Sequence, residues 1–229
     1  MLRRFRDRRR ATGALADFYA VDPPAKSTLL EDLPILAVDV EATGLKVGTD
    51  RLLSIGWLPV DGRTINLSGT REVVIAADPG KDDEGVGQSA TVHGLTDDVV
   101  DAGIPLEDAL GRLLEALQGR AMLAHFASIE QDFLNDACRE VFGAGFSVPS
   151  IDTYALEKRH LERTSVFPRG EDLRLPRIRE RYGLPVYHSH RAVTDALACA
   201  ELYLAQTTPE EGRSPYSTLR SLQVSAGAA

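Results

Sequence analysis

Two carboxylates two residues apart, at the end of an apolar run, constrain this chain more than any other feature it carries. Ile35-Leu36-Ala37-Val38 reads as a buried strand. Asp39 and Glu41 follow at i and i+2, a spacing that points both side chains to one side of the strand where it leaves the core. Like charges this close raise each other's pKa, a cost that is relieved when a hard divalent cation sits between oxygen ligands. By itself the pair also fits a strand end whose acids face water ahead of the Thr43-Gly44 turn.

The rest of the composition narrows the setting. A chain of 229 residues with 43% hydrophobic content supports one sizeable core, so a single α/β domain is expected. No run approaches the ~18 apolar residues that span a bilayer, and the N-terminus lacks the apolar centre of a secretory signal, so a soluble, cytoplasmic protein is expected, with no membrane partner. The two cysteines, Cys138 and Cys199, lie in apolar helical patterns and read as small core residues. The net charge of −8 argues against a broad basic surface for nucleic acid but leaves room for a local groove. Six arginines and one aspartate crowd the first ten residues, leaving −13 on the remainder. This basic start reads as a solvated arm.

Taken in order, residues 1–30 read as a basic arm and linker, with a short helix near residues 12–19 and a stop at Pro23-Pro24; residues 31–206 form the α/β domain, and residues 207–229 a flexible tail. Strands are expected near residues 35–41, 51–59, 63–67, 73–76, 122–124 and 151–153. Asp61-Gly62 marks a hairpin, and residues 78–89 a Gly- and acid-rich loop. Pro105 opens a helix whose Leu106, Ala109, Leu110, Leu113, Leu114 and Leu117 share one face. Further helices are expected over residues 128–142, capped by Ser128, and near 175–182 and 192–205, with a polar loop at 163–172.

Two later positions break their local patterns. In the helix from Ser128, Glu130 shares its phase with Phe133 and Leu134, so its carboxylate points toward the packed face, whereas Asp132 faces solvent. A buried acid must be paired or hold a metal. Asp195 enters a helix whose Ala196, Cys199 and Ala200 look buried, and His190 precedes it by five residues. Each alone fits an ordinary helix-dipole acid or surface histidine. Together with Asp39 and Glu41, carboxylates from three segments and a histidine fit a two-metal hydrolase.

At this point the chain resembles the DEDDh-type proofreading 3′–5′ exonucleases, the family of the DNA polymerase III epsilon subunit, over about residues 33 to 206. Asp39-Val40-Glu41-Ala42-Thr43-Gly44-Leu45 is similar to the family's Asp-x-Glu-Thr-Thr-Gly, and Val92-His93-Gly94-Leu95-Thr96 to its His-Gly-Ile-Thr. The stretch from His125 to Leu134 is similar to His-Asn-Ala-x-Phe-Asp-x-x-Phe-Leu, and His190 to Asp195 has the spacing His-x-Ala-x-x-Asp, which His188 lacks. Two departures stand out: Glu130 occupies the place of an aspartate, and Phe126 that of an asparagine.

The resemblance implies a ribonuclease H-like exonuclease fold, a mixed central β-sheet flanked by α-helices. It implies two Mg²⁺ or Mn²⁺ ions held by Asp39, Glu41, Glu130 and Asp195, with His190 as general base. Ala42, Thr43, Gly44, Leu45 and His93 would contact the substrate. The implied reaction removes nucleoside 5′-monophosphates from 3′ ends of single-stranded DNA or RNA, DNA being favoured, and the implied partners include a DNA polymerase or another replication or repair protein. An RNA exonuclease or oligoribonuclease, and a catalytically weak polymerase-associated nucleic-acid-binding subunit, are the alternatives.

Overall fold

The computed structural model describes residues 6–77, 96–163, 168–187, 190–208 and 216–223. The described elements run α1 (Gly13–Ala20), β1 (Pro34–Ala42), β2 (Leu52–Asp61), β3 (Thr64–Ile65), β4 (Arg71–Val74), α2 (Asp97–Asp101), α3 (Leu106–Leu117), β5 (Ala121–Ala124), α4 (Ser128–Phe142), β6 (Ser150–Asp152), α5 (Thr153–Arg163), α6 (Leu175–Arg181), α7 (Ala192–Thr207) and α8 (Leu219–Leu222), with short 3-10 turns between some of them. They build the expected mixed sheet between helices.

Strand β1 is the axis of that sheet. It pairs antiparallel with β2 on one side and parallel with β5 on the other; β6 extends the parallel edge, and β3 and β4 both pair with β2. Being covered on both faces, β1 must be apolar at every position before the acids, which explains its unbroken run. Leu36 and Val38 pack into one core with α1, α3 and α4, while Ile35 and Ala37 pack into a second core with α7. Asp39 and Glu41 share the parity of Ile35 and Ala37, so they emerge on the α7 side.

Several expectations need correction. Residues 1–30 are not merely an arm and linker, because Leu15, Phe18 and Tyr19, spaced i, i+3, i+4, are buried in the first core, and the Tyr19 hydroxyl donates to Gly145 O at 2.6 Å. Fully burying each such side chain contributes about 1.5–3 kcal/mol, which offsets the ordering of a short helix that arginine content alone would leave in solvent. Nor is the region from 207 onward simply a flexible tail: Tyr216, Leu219 and Leu222 join the second core, and Leu219 N–H donates to Thr28 O. The domain boundaries at 31 and 206 are therefore too narrow on both sides. Ser128 does not cap α4; Ala127 occupies that position and makes no side-chain cap bond. Helix α5 has no counterpart among the expected helices, since a polar, weakly patterned run follows a three-residue strand. Both cysteines are buried and free, as their helical phases require. The acid-rich segment 78–89 and His93 lie outside the described residues.

Candidate active site

The site forms where β1 leaves the core. Asp39 lies opposite Gly56 of β2, and a Cβ on Gly56 would collide with the Ala192 carbonyl carbon and the Val193 amide nitrogen. The missing side chain lets the first turn of α7 lie directly against the sheet, which brings Asp195 to the pair on β1. Carboxylate oxygens of Asp39, Glu41 and Asp195 lie within 4.8 Å of one another. Gly56→Ala is accordingly expected to lift this turn, lowering turnover at this site by ~10²-fold and stability by ~1–3 kcal/mol. Single-turnover rates and urea unfolding of the variant check both. Wild-type turnover would mean that the turn does not need this contact.

Glu130 approaches from the other helical layer. It lies in the first turn of α4 and is 5% exposed, its Oε2 is buried without a hydrogen-bond partner, and Asp132 is exposed. Glu130 is outside the three-carboxylate group, yet its charge acts directly on Asp39. Burial, followed by the charges of Glu130, Asp195 and Glu41, pushes the Asp39 carboxyl well above its ordinary range. Burial, then Asp195 and Glu72, raises Glu41 to about 7. Burial and the Asp152 charge raise Glu130 to about 8 against the opposing pull of its own backbone hydrogen bond. Asp195 is also raised by burial, with the His190 and Arg191 N–H groups working in the other direction. Asp39, Glu41 and Asp195 offer oxygen donors close enough together to suit a divalent cation, and the orphaned Glu130 oxygen, whose charge acts on Asp39, fits the same use.

The flanking residues are fixed by hydrogen bonds that the sequence does not advertise. His190 is exposed, with φ +75°, and donates its backbone N–H to Asp195 Oδ2 at 2.7 Å. Arg191 pairs with Glu72 at 2.7 Å, tying the start of α7 to β4. The buried Arg179 donates to Ala198 O and Pro185 O and pairs with Glu201 at 2.7 Å, which anchors α6 and segment 184–187 on α7. A cleft of about 270 Å³ opens here beside Asp195, walled by Leu175, Arg179, Val186 and Tyr187. His125 is not a free imidazole: Nε2 faces Leu173 O at 2.9 Å and Nδ1 faces Thr153 Oγ1 at 2.8 Å, and burial lowers its pKa to about 4. A carbonyl only accepts, so Nε2 carries the proton and His125 acts as a neutral strut.

Asp152 is the acid that sequence reasoning missed. Its Oδ1 accepts from Phe126 N–H and Tyr154 N–H, both at 2.9 Å, so it caps α5 and clamps the turn that leads into α4. The available signal was Asp152-Thr153 directly after an apolar residue, a helix-start pattern read instead as part of a strand.

The loop after Glu41 is held by Asp50, which accepts from Lys46 N–H at 2.7 Å and from the Thr43 hydroxyl at 3.3 Å. A Cβ on Gly44 would approach Asp50 Oδ2 to 2.5 Å, so a side chain here would push the Asp50 carboxylate off its present bonds. Ala42, Thr43 and Gly44 are half-buried beneath it, and Leu45 stands 80% exposed at its tip.

A family model described as Exonuclease (RNase_T) matches residues 36–203. The DNA polymerase III epsilon subunit of Treponema pallidum is 27% identical over 179 residues, covering 76% of each chain. The PolC-type DNA polymerase III of Thermotoga petrophila is 27% identical over 180 residues, which cover 76% of this chain but only 12% of that much longer one. Among solved structures, the nuclease domain of 3′hExo, a DEDDh family member bound to rAMP, superposes with a TM-score of 0.62 at 14% identity over 75% of this chain and 90% of that one. Exonuclease X in complex with 5′ overhanging duplex DNA gives 0.55 at 20% identity, over 76% and 90%. The sheet order and the two helical layers are thus those of the ribonuclease H-like fold, and the chain belongs to the RNase_T exonuclease family.

Proposed function

We propose that this exonuclease removes nucleoside 5′-monophosphates from the 3′ end of single-stranded DNA, with two divalent ions, Mg²⁺ or Mn²⁺. The observation that carries the reading is the convergence of Asp39, Glu41 and Asp195 within 4.8 Å, with the orphaned Glu130 carboxylate acting on the same Asp39. Asp39, Glu41 and Asp195 would hold one ion, and Asp39 with Glu130 a second. When bound, such ions lower the pKa of a water and neutralise the charge that builds on the phosphate. His190 takes the proton from the attacking water, and its backbone, left-handed and bonded to Asp195 Oδ2, holds the residue beside the cluster. Backbone atoms of Ala42, Thr43 and Gly44 approach the terminal sugar, while Leu45 wedges against the terminal base. His93 completes that contact in the family pattern. Relatives named as DNA polymerase III epsilon and PolC-type favour DNA over RNA as the substrate and a DNA polymerase as a partner. Among the described residues no helix is long and apolar enough to cross a membrane.

His190→Ala is expected to lower kcat by ~10²–10⁴-fold with little change in KM, because a general base acts only in the transition state. Steady-state kinetics on a single-stranded DNA oligomer, with the released mononucleotide identified by chromatography, read both the rate and the product. An unchanged kcat would remove His190 from the mechanism, and release of 3′-phosphorylated nucleotides would refute the proposed bond cleavage.

A further inference from the structure

Among the described residues, the non-glycine positions with a left-handed backbone are two, Phe126 at φ +68° and His190 at φ +75°, and each donates its N–H to a carboxylate of the site region. His190 stands at the Asp195 end of the cluster. Phe126 stands at the other end, four residues before Glu130 and bonded to the Asp152 whose charge acts on Glu130. A bulky residue in this conformation is an outlier that persists only when its surroundings enforce it, and such residues collect at functional sites.

Packing alone does not account for the choice of phenylalanine here. The residue is 41% exposed, so a large share of the ring stays open to solvent and that part of the burial gain is forgone. The asparagine found here in the family pattern tolerates the left-handed region far better. What phenylalanine adds is a rigid aromatic surface. Its ring is braced by Tyr154 at 4.9 Å between centroids and 86° between planes, and Tyr154 in turn meets the doubly hydrogen-bonded His125 ring at 6.0 Å and 74°. Three rings in perpendicular contact, the innermost pinned at both nitrogens, hold the outermost at a set orientation while leaving much of it open.

We infer that Phe126 is a stacking platform for a nucleobase of the bound strand at the Glu130 end of the site, a binding role that an asparagine at this position could not fill. The inference rests on the exonuclease reading and adds a base contact on the side of the cluster remote from His190. Stacking is tolerant of base identity, so the platform contributes affinity without sequence preference.

The test is anisotropy of 5′-fluorescein-labelled single-stranded DNA oligomers with Ca²⁺, which permits binding to be read without turnover. Wild type is compared with Phe126→Ala and Phe126→Trp, on an intact oligomer and on oligomers abasic at each 3′-proximal position in turn. Phe126→Ala is expected to weaken binding of the intact oligomer roughly 5- to 150-fold, the range set by stacking one base. Phe126→Trp is expected to restore it, and one abasic position is expected to abolish the difference between wild type and Phe126→Ala. Equal binding of wild type and Phe126→Ala to the intact oligomer overturns the inference. So does an equal loss on every abasic oligomer, which signals a merely structural role, and so does absence of binding by wild type. Wild type that binds and shows the platform signature but hydrolyses nothing in Mg²⁺ or Mn²⁺ refutes the exonuclease reading alone. Unchanged thermal midpoints keep the variants comparable.

Discussion

Asp39→Asn is expected to lower turnover on single-stranded DNA to below about one-thousandth of wild type while leaving the fold intact. Asp39 is the one carboxylate whose field is shared by Glu41, Asp195 and Glu130 at once, so its replacement removes negative charge from every ion position that the cluster can form. The amide keeps the shape and most of the packing, which separates charge from sterics. Because Asp39 sits among like charges at the end of a buried strand, the neutral variant is also expected to melt no lower than wild type in EDTA at pH 8. Turnover within tenfold of wild type would take Asp39 out of the chemistry.

Glu130→Gln is expected to give the second large effect, and it runs in opposite directions in two assays. Activity should fall at least about a hundredfold, more than the loss of an outer-shell partner typically costs, since an amide supplies no anionic oxygen to a cation. Stability without metal should rise at high pH. Burial raises the Glu130 carboxyl from 4.5 to about 8, so between those values the folded chain binds a proton that the unfolded chain releases. Its contribution to stability is complete below pH 4.5 and is lost as the pH climbs toward 8. Glu41, raised to about 7, adds to the same trend. Metal-free wild type should therefore lose thermal midpoint between pH 5 and pH 8, and Mn²⁺ should restore it at pH 8. Glu130→Gln should escape part of that loss and melt higher than wild type in EDTA at pH 8, with little difference at pH 5. Glu130→Asp, which restores the family residue with a shorter reach, should retain activity with an altered preference between Mn²⁺ and Mg²⁺. Asp132→Asn should behave as wild type. A Glu130→Gln variant with normal activity, or one that melts lower than wild type at pH 8 in EDTA, would contradict the assignment of Glu130 as a buried ligand.

What was legible in the sequence follows from periodicity. A short apolar run rich in β-formers that breaks at two acids two residues apart favours a strand covered on both faces, so β1 and the parity of Asp39 and Glu41 could be read without a structure. Glu130 and Asp132 were separated by helical phase because α4 has a strong apolar face, and the structure buries one and exposes the other. The helix at residues 13–20 is legible as a helix, but its docking is not, because three apolar residues beside six arginines give no sign of the groove that α3 and α4 offer them. Gly56 escaped notice for a related reason. A strand glycine is ambiguous until the backbone that fills its missing side chain is known, and here that backbone lies more than a hundred residues further along the chain. Asp152 was hidden by the brevity of β6, three residues that merge directly into α5, so that a helix cap resembled a strand end.

The most direct test is a time course on a 5′-labelled single-stranded DNA oligomer in Mg²⁺, in Mn²⁺ and in EDTA, run beside a matched RNA oligomer and beside Asp39→Asn. The expected result is a ladder that shortens one nucleotide at a time from the 3′ end in either metal, faster on DNA than on RNA, and absent both in EDTA and in the variant. A ladder that persists in EDTA or in Asp39→Asn, or immediate release of the labelled 5′ nucleotide, would contradict a metal-dependent 3′–5′ exonuclease built on these carboxylates.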